Sequence, residues 1–246
     1  MSDTVVSWHT EPVANQPGKV RFYFDRLDLS SEPSWAEKVN VPGIIVAWNA
    51  QAGRAYTVDF QISELNLNAD DCYNHPKYWQ FEYDNINNND AGTCKLIDQT
   101  LEQLAVQGGG AVLMRSIDIE GDYGLEQLYA TESRIFARTD KTTWAGDNYD
   151  NDSKLIVLDL ESVDAEPVEL DGEQLGQWWW IMSVIGDRAI SQGGYGQLNL
   201  IDASVASQTE IQQSSIPGWG GCYQPVIDGD TVYCPMGAYG LETVGW

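Results

Sequence analysis

The segment Gly146–Ser153, which reads GDNYDNDS, carries oxygen-bearing side chains at alternate positions. Asn148, Asp150 and Asp152 have the spacing of the first three ligands of a calcium loop, where positions 1, 3 and 5 supply carboxylate or amide oxygens. This pattern predicts a Ca²⁺ site, and calcium is the one cofactor that the sequence suggests.

The rest of the segment departs from an EF-hand. Ser153 stands at the sixth position, where that loop needs Gly, and the twelfth position falls on Asp159, inside a predicted strand. We therefore expect a looser Ca²⁺ site on a surface loop. The alternative is a solvated turn without metal, because Asn and Asp are ordinary turn residues.

Tryptophans are the candidate contacts for an organic ligand. In a strand, successive side chains alternate between the two faces, so Trp178 and Trp180 should point one way and Trp179 the other. One face should pack in the core, leaving the other to stack on a sugar or on a partner protein. Trp219, in the glycine-bounded stretch 217–221, is a further candidate for an exposed contact. The alternative for the Trp178–Trp180 run is core packing alone.

The four cysteines do not form a C-x-x-C pair, so a zinc ribbon or a thiol redox site is unsupported. We predict that neighbours pair, Cys72 with Cys94 and Cys222 with Cys234. The first bridge would close a long Asn/Asp-rich loop, and the second flanks the hairpin-turn sequence Asp-Gly-Asp at 228–230. Such bridges predict an extracellular, periplasmic or cell-surface location. The alternative is four reduced, buried cysteines.

No motif identifies an enzyme. The chain contains no G-x-S-x-G sequence, and its two histidines, His9 and His75, lie outside the recognisable repeats. The glycine run 108–110 lacks the Gly-Lys-Ser/Thr ending of a phosphate-binding loop. Carboxylates are so numerous that no pair stands out as a glycosidase pair.

Charge and composition exclude several classes of function. The 246 residues include 13 Lys and Arg against 37 Asp and Glu, a net charge of −24, which argues against a nucleic-acid partner. Hydrophobic residues make up 43% of the chain, enough for a folded core, and no apolar run is long enough to span a membrane. No signal peptide is visible, and both ends look cut, so we expect either a domain or fragment of a longer protein or a mature segment whose leader was removed.

Strand signals dominate the elements that must position these residues. Short runs such as Gly43–Trp48, Lys154–Leu160 and Gln197–Asp202 alternate with Gly, Asn and Asp turns about every 8–15 residues, without the β-α-β alternation of a parallel sheet. Only Trp35–Val39 and Leu101–Val106 suggest short helical turns. The pattern predicts an all-β sandwich, barrel or propeller.

Internal repetition favours the propeller. The run 184–190 and the run 226–233 each read as an apolar strand, a Gly/Asp turn and a second apolar strand, offset by 43–44 residues. Tyr-Gly turns at 195–196 and 239–240 then open a third strand in both copies, and a weaker copy lies upstream, over 133–159. A period of about 43 residues with about four strands is typical of one propeller blade.

On these residues the chain resembles bacterial secreted β-propeller repeat proteins of the LVIVD type, whose blades combine a Gly-Asp turn, a Tyr/Gly turn and a Leu-x-Val-x-Asp strand. The resemblance covers residues 110–246 well and 20–65 loosely. It implies about four to six four-stranded blades over residues 20–246, in a closed or an incomplete ring. We expect residues 1–19 to form an N-terminal extension or linker, and an Asn/Asp-rich insert around 66–94.

Three functions are compatible with this reading. The leading one is a non-enzymatic binding or scaffolding domain of a secreted or cell-surface protein, with a protein or carbohydrate ligand, no nucleic acid and no membrane span. The second is an enzyme, either a hydrolase or a quinoprotein-like oxidoreductase, with its site in the central channel. The third is a structural segment of a larger multidomain protein. The oligomeric state is left open.

Overall fold

The fold was analysed in a computed structural model. Its description covers residues 4–16, 19–29, 32–85, 88–145, 148–176, 178–194, 196–216 and 221–246, and it omits the side chains of residues 4, 83–85, 88–91, 142–145, 148–151 and 239. Within these residues the chain forms antiparallel β-sheets with one short α-helix and three short 3-10 helices. The all-β prediction is therefore confirmed.

The chain divides into two compact units. Unit 1 comprises Met1–Tyr73 and Lys77–Gly121, and unit 2 comprises Asn74–Pro76 and Asp122–Trp246. The sequence had indicated a single domain over residues 20–246.

Unit 1 begins with a four-stranded sheet, sheet I. Its strands are β1 (Thr4–Pro12), β2 (Val20–Asp28), β3 (Ser34–Trp35) and β4 (Val39–Val41), with β2 between β1 on one side and β3 and β4 on the other. Residues 4–12, which we expected in an N-terminal extension, thus form an edge strand that pairs with β2 along its whole length.

The second sheet of unit 1, sheet II, has five strands. They are β5 (Ile44–Asn49), β6 (Arg54–Leu67), β7 (Tyr78–Asn85), β8 (Asn88–Gln107) and β9 (Gly110–Ile117). The order is β5-β6-β8, after which β7 and β9 pair with opposite ends of the long strand β8.

The predicted insert around 66–94 forms one end of sheet II. It contains the short helix α1 (Ala69–Tyr73) and the disulfide Cys72–Cys94, whose Cα atoms are 5.6 Å apart. Cys72, Phe81, Cys94 and Leu96 form a small core of their own. The helical turn expected at Leu101–Val106 is wrong, because those residues continue β8.

Unit 2 contains three successive antiparallel meanders. Sheet III has β10 (Gly124–Ala130), β11 (Arg134–Ala145), β12 (Asn148–Asp159) and β13 (Val168–Asp171). Sheet IV has β14 (Trp180–Ile185), β15 (Arg188–Gln192), β16 (Gln197–Asp202) and β17 (Glu210–Ser215). Sheet V has β18 (Val226–Asp228), β19 (Thr231–Pro235) and β20 (Leu241–Gly245). In each sheet, strands adjacent in the chain are adjacent in space.

The predicted hairpin turns are confirmed in sheets IV and V. Ile185 pairs with Arg188 and Asp228 pairs with Thr231, so two-residue turns join the first two strands of each sheet. Gly186 and Gly229 open these turns at φ +52° and +58°, a conformation that glycine adopts without the steric cost of a Cβ.

Hydrophobic side chains fill the spaces between neighbouring sheets of unit 2. One core lies between sheets III and IV and includes Phe136, Leu155, Trp179, Ala189 and Ile201. A second core lies between sheets IV and V; its members are Ile190, Leu198, Leu200, Ile216, Cys222, Val232, Cys234 and Met236. Sheet IV is therefore covered on both faces.

Candidate functional site

The first strands of three sheets contain a one-residue bulge at the same place. Pairing jumps from Ile45 to Ala47 in β5, from Leu125 to Gln127 in β10 and from Ile181 to Ser183 in β14. The bulged residues are Val46, Glu126 and Met182. A bulge redirects the side chain of the extra residue, and bulges are frequent beside functional sites.

Glu126, in sheet III, is the charged member of this set. Partial burial and the neighbouring Asp140 raise the pKa of its carboxyl group, and Arg138 opposes that shift. Arg138 in turn donates from Nε to Oδ1 of Asp140 at 2.9 Å, and a second contact joins Nη2 to Oδ2. The bulge thus places an acid that holds its proton more tightly than usual beside an ion pair.

Trp179 lies under this ion pair. The Arg138 guanidinium carbon is 5.3 Å from the Trp179 ring centroid, within cation–π range, and the indole Nε1 donates to Ser153 Oγ at 2.8 Å. Gly172 packs against both, since a Cβ there would lie 2.2 Å from Ser153 Oγ and 2.7 Å from the indole nitrogen. Trp179 is a fixed, buried anchor of unit 2.

The flanking tryptophans are exposed, but not through strand alternation, because of the three only Trp180 lies in a strand. Trp178 is 48% exposed and Trp180 is 39% exposed, whereas Trp179 is 1% exposed. Trp178 precedes β14 and has φ +59°, a left-handed conformation that is uncommon for a bulky residue. A buried indole is therefore flanked in the sequence by two large aromatic side chains that are accessible to solvent.

The predicted calcium residues lie on a strand rather than in a loop. Asn148, Asp150 and Asp152 all belong to β12, and the side chains of the first two lie outside the described residues. Alternate residues of a strand are about 6.6 Å apart, so three of them span about 13 Å. One Ca²⁺ ion, with ligands at about 2.3–2.6 Å, does not reach across that length of backbone.

Asp152 itself already has a partner. It accepts a hydrogen bond of 2.5 Å from the hydroxyl of Tyr123, whose ring lies 4.5 Å from Lys154 Nζ and 5.8 Å from Lys141 Nζ. The hydrogen bond to Asp152, with partial burial, raises the pKa of Tyr123 to about 12. Across the described side chains, no cluster of three His, Cys, Asp or Glu is arranged to hold a metal ion. Calcium binding stays a prediction.

Trp219 lies outside the described residues, which resume at Gly221. Next to that point the backbone N–H of Cys222 donates to Gln192 Oε1 at 3.0 Å, and Cys222 bonds to Cys234, with Cα atoms 5.2 Å apart. Both predicted disulfides are therefore present in the structure.

Two arginines were missed by the sequence analysis. Arg134 and Arg188 begin the second strands of sheets III and IV, and each pairs across to an aspartate that ends the third strand, Asp159 and Asp202 respectively. The Arg134 guanidinium also donates to the Ala203 and Ser204 carbonyls of sheet IV, each at 2.9 Å.

Arg188 reaches the next sheet in the same way. It donates to the Gly229 carbonyl at 2.8 Å and to Asp230 at 3.1 Å, in the first turn of sheet V. The signal that could have found these residues is their place directly after the turn between the first two strands.

No protein-family model matches this chain, and no curated protein matches it in sequence. Among the described residues, no helix is long and apolar enough to cross a membrane.

Proposed function

We propose that this chain is a non-enzymatic binding domain that presents Trp178 and Trp180 to a carbohydrate or protein ligand. The observation that carries the proposal is the exposure of these two indoles on either side of a buried one. Trp179 is held by Ser153 and Arg138, so the backbone between the two exposed indoles is anchored before a ligand arrives. Such preorganisation lowers the entropy cost of binding.

We further propose that the sheets are blades of a β-propeller of the LVIVD-like kind. This proposal is supported by the agreement between the sequence repeat and the strands of the structure. At an offset of 43 residues, Ala189, Ile190 and Leu198 of sheet IV correspond to Val232, Tyr233 and Leu241, which lie on the equivalent strands of sheet V. Antiparallel meanders stacked face to face through apolar cores, as sheets III and IV with four strands and sheet V with three are, fit the arrangement of propeller blades.

The chemistry of the exposed pair favours a carbohydrate. Indole faces stack on the C–H faces of sugar rings, and a surface with a net charge of −24 repels polyanions. The two disulfides support an extracellular, periplasmic or cell-surface setting, where thiols are kept oxidised.

Titration of intrinsic tryptophan fluorescence with cellohexaose and chitohexaose tests the proposal. We expect one of them to bind, and Trp178→Ala or Trp180→Ala to weaken binding at least tenfold, about 1.4 kcal/mol. Trp35→Ala, a residue of sheet I that is 66% exposed, is the matched control and should bind as the wild type does. Equal loss in all three variants, or no saccharide binding at all, would contradict the carbohydrate form of the proposal.

A hydrolase is the second candidate, and Glu126 is the observation that favours it. Hydrolases often pair one carboxylic acid that keeps its proton with one carboxylate that stays ionised. Glu126, whose pKa is raised, and Asp140, which is held by Arg138, resemble such a pair. Glu126→Gln keeps the shape and removes the acid. Turnover of an aryl glycoside by the wild type but not by this variant would support the enzyme, and no turnover by either would contradict it.

The calcium hypothesis has a separate test, a thermal melt in EDTA and then in millimolar Ca²⁺. A ligand at 100 times its Kd stabilises the folded state by about 2.7 kcal/mol, and each kcal/mol moves the midpoint of a domain of this size by about 2–4 °C. A rise that Asp152→Asn abolishes would support the site. A midpoint that does not move would contradict it.

A further inference from the structure

Sheet V lacks the fourth strand that sheets III and IV have. In those two sheets the third strand, β12 or β16, pairs with the second strand on one edge and with a fourth strand, β13 or β17, on the other. The third strand of sheet V, β20, pairs with β19. Among the described residues, no strand pairs with the opposite edge of β20, which we call the free edge. An unpaired edge is a template for pairing with another chain.

The free edge presents the backbone groups of Leu241, Thr243 and Gly245. In an antiparallel pair, the hydrogen-bonding groups of alternate residues point to the same side of a strand. The Gly240 carbonyl and the Trp246 N–H each make a hydrogen bond of 2.8 Å to residues at the two ends of β19. The three alternate residues between these two bonds therefore direct their N–H and C=O groups away from β19.

The corresponding residues of sheet IV bond to the fourth strand. At the offset of 43 residues their counterparts are Leu198, Leu200 and Asp202, which pair with β17. The carbonyl of Gly196, the preceding member of the same alternate set, accepts from the Ile216 N–H next to β17 at 2.7 Å. The repeat thus uses this set of backbone groups to hold a strand.

The core beside β20 is also less complete than its counterpart in sheet IV. Ile201 of β16 is 0% exposed, and Ile211 of β17 pairs with it and packs on the same core. Val244, the counterpart of Ile201, packs on the core between sheets IV and V but is half-buried. Glu242 lies on the same face and is half-buried too, whereas its counterpart Asn199 is 0% exposed. A further strand beside β20 would cover both side chains.

Charge indicates what kind of strand fits this edge. The chain has a net charge of −24 and Glu242 lies in the row to be covered, so a second copy of the chain would bring like charges together. In sheet III an ion pair crosses the corresponding edge, where Lys154 of the third strand bonds to Glu169 of the fourth at 2.6 Å. A strand with a basic side chain beside Glu242 and an apolar one beside Val244 complements both.

We infer that the free edge of β20 binds an extended, basic segment of a partner polypeptide as a fourth, antiparallel strand of sheet V. The segment pairs its backbone with Leu241, Thr243 and Gly245, and places an apolar side chain beside Val244 and a lysine or arginine beside Glu242. Strand addition of this kind takes its affinity from main-chain hydrogen bonds and its specificity from alternate side chains.

Fluorescence anisotropy of a labelled peptide, titrated with the full chain, tests this inference. The probe has the sequence of residues 209–216, which includes β17, with Gln213→Lys, because Gln213 pairs with the counterpart of Glu242. We expect saturable binding, and the same peptide with Ile211→Asp should bind about tenfold more weakly or worse. Bound peptide should also slow hydrogen exchange of the Leu241 and Thr243 amides, which face the free edge.

Proline variants of β20 locate the binding. Thr243→Pro removes one N–H from the free edge and none that faces β19, so it should weaken binding about tenfold or more. Gly245→Pro, at a position where a Cβ would meet no atom within 4 Å, is the second variant in case the first disturbs β20. Ser215→Pro is the matched control, because the Ile216 N–H bonds toward β16 and the Ser215 N–H therefore points away from it.

Binding that both β20 variants lose and the control keeps supports the inference. No binding up to several hundred micromolar overturns it, as does binding that both variants retain. Self-association of the chain that both variants abolish would make a second copy the occupant and would also overturn it. Neither variant alters Trp178 or Trp180, so a failure here is distinct from a failure of saccharide binding.

Discussion

Sheets IV and V repeat the same strands and turns at an offset of 43 residues, but the same positions are buried in one and exposed in the other. Ile190 and Leu198 are completely buried, whereas their counterparts Tyr233 and Leu241 are 36% and 60% exposed. Sheet IV has a neighbour on both faces and sheet V packs on one. The repeated sequence thus determines the strands and turns of each sheet. The sheets packed against it determine how deeply each residue is buried, and so how much that residue contributes to stability.

The repeated arginines show the same contrast between sheets III and IV. The side chain of Arg134 is 4% exposed and donates to Asp159 and to the carbonyls of Ser133, Ala203 and Ser204. The side chain of Arg188 is 29% exposed and reaches one carbonyl, two carboxylates and the ring of Trp246. One guanidinium is enclosed by the following sheet and the other remains partly in water.

The largest effect is expected at these arginines. Arg134→Ala removes a buried guanidinium and leaves Asp159 and the carbonyls of Ser133, Ala203 and Ser204 without their donor, so it should lower the free energy of unfolding by about 3–5 kcal/mol. Arg188→Ala should cost about 1 kcal/mol or less, because water replaces its contacts. Urea denaturation of both variants measures the difference, and equal losses would mean that cover by the next sheet is not what distinguishes the two sites.

The next largest effect is expected at Ile190, which is buried, in comparison with its exposed counterpart Tyr233. Ile190→Ala removes a fully buried side chain and should cost about 3 kcal/mol. Tyr233→Ala, at the equivalent but exposed position, should cost less than about 1 kcal/mol. Denaturation at low protein concentration gives both values. A Tyr233→Ala loss as large as that of Ile190→Ala would show that Tyr233 is buried in solution.

The disulfide in sheet V should matter because that sheet has fewer packing partners. Replacing Cys222 and Cys234 together by Ala opens a loop of 12 residues, which should cost roughly 2–3 kcal/mol. Hydrogen exchange should then show amides of β19 losing protection before those of β15. The same replacement at Cys72 and Cys94 is the control and should leave the order of exchange in β15 and β19 unchanged.

The smallest effect concerns the aromatic residues that precede the first strands of sheets III and IV. Tyr123 and Trp179 each stand two residues before a bulge-flanking residue, Leu125 and Ile181, but Trp179 is buried and Tyr123 is half-buried. Because the fold raises the pKa of Tyr123 to about 12, the protonated phenol is the favoured form. Its contribution to stability is present below pH 10 and is lost as the pH rises through about 12.

The ultraviolet titration of the phenolate, taken as the difference between the wild type and Tyr123→Phe, measures this pKa. Asp152→Asn should return it toward 10, since the hydrogen bond to Asp152 is the main cause of the shift. If the pKa of Tyr123 stays near 12 in that variant, burial is the cause of the shift. Tyr123 would then be buried more deeply than the structure indicates, as Trp179 is.

Local features of the structure could be predicted from the chain. The disulfide pairs follow from cysteines that flank a loop or a hairpin, and the turns at 186–187 and 229–230 follow from Gly-Asp between apolar runs. Each of these depends on residues close in sequence, where spacing determines geometry.

Features that depend on distant partners could not be predicted. Arg134 donates to the carbonyls of Ala203 and Ser204, about 70 residues later in the chain, and no local sequence pattern predicts that contact. The bulge at Glu126 is set by pairing with β11, so the run around it reads as an ordinary strand. Asp152 looked like a metal ligand because oxygen-bearing side chains alternate with it along the sequence, whereas its partner in space is Tyr123.

The sequence by itself determined the all-β class, the disulfide pairs and the repeat, because turns, cysteine positions and strand alternation are encoded over a few residues each. Only the tertiary structure decided which copies of the repeat are covered, which arginine is buried and which carboxylate is already paired. The physical reason is that burial and pKa depend on which sheet lies against a residue. That neighbouring sheet is formed by residues tens of positions away in the chain, so the local sequence pattern does not predict which sheet it is.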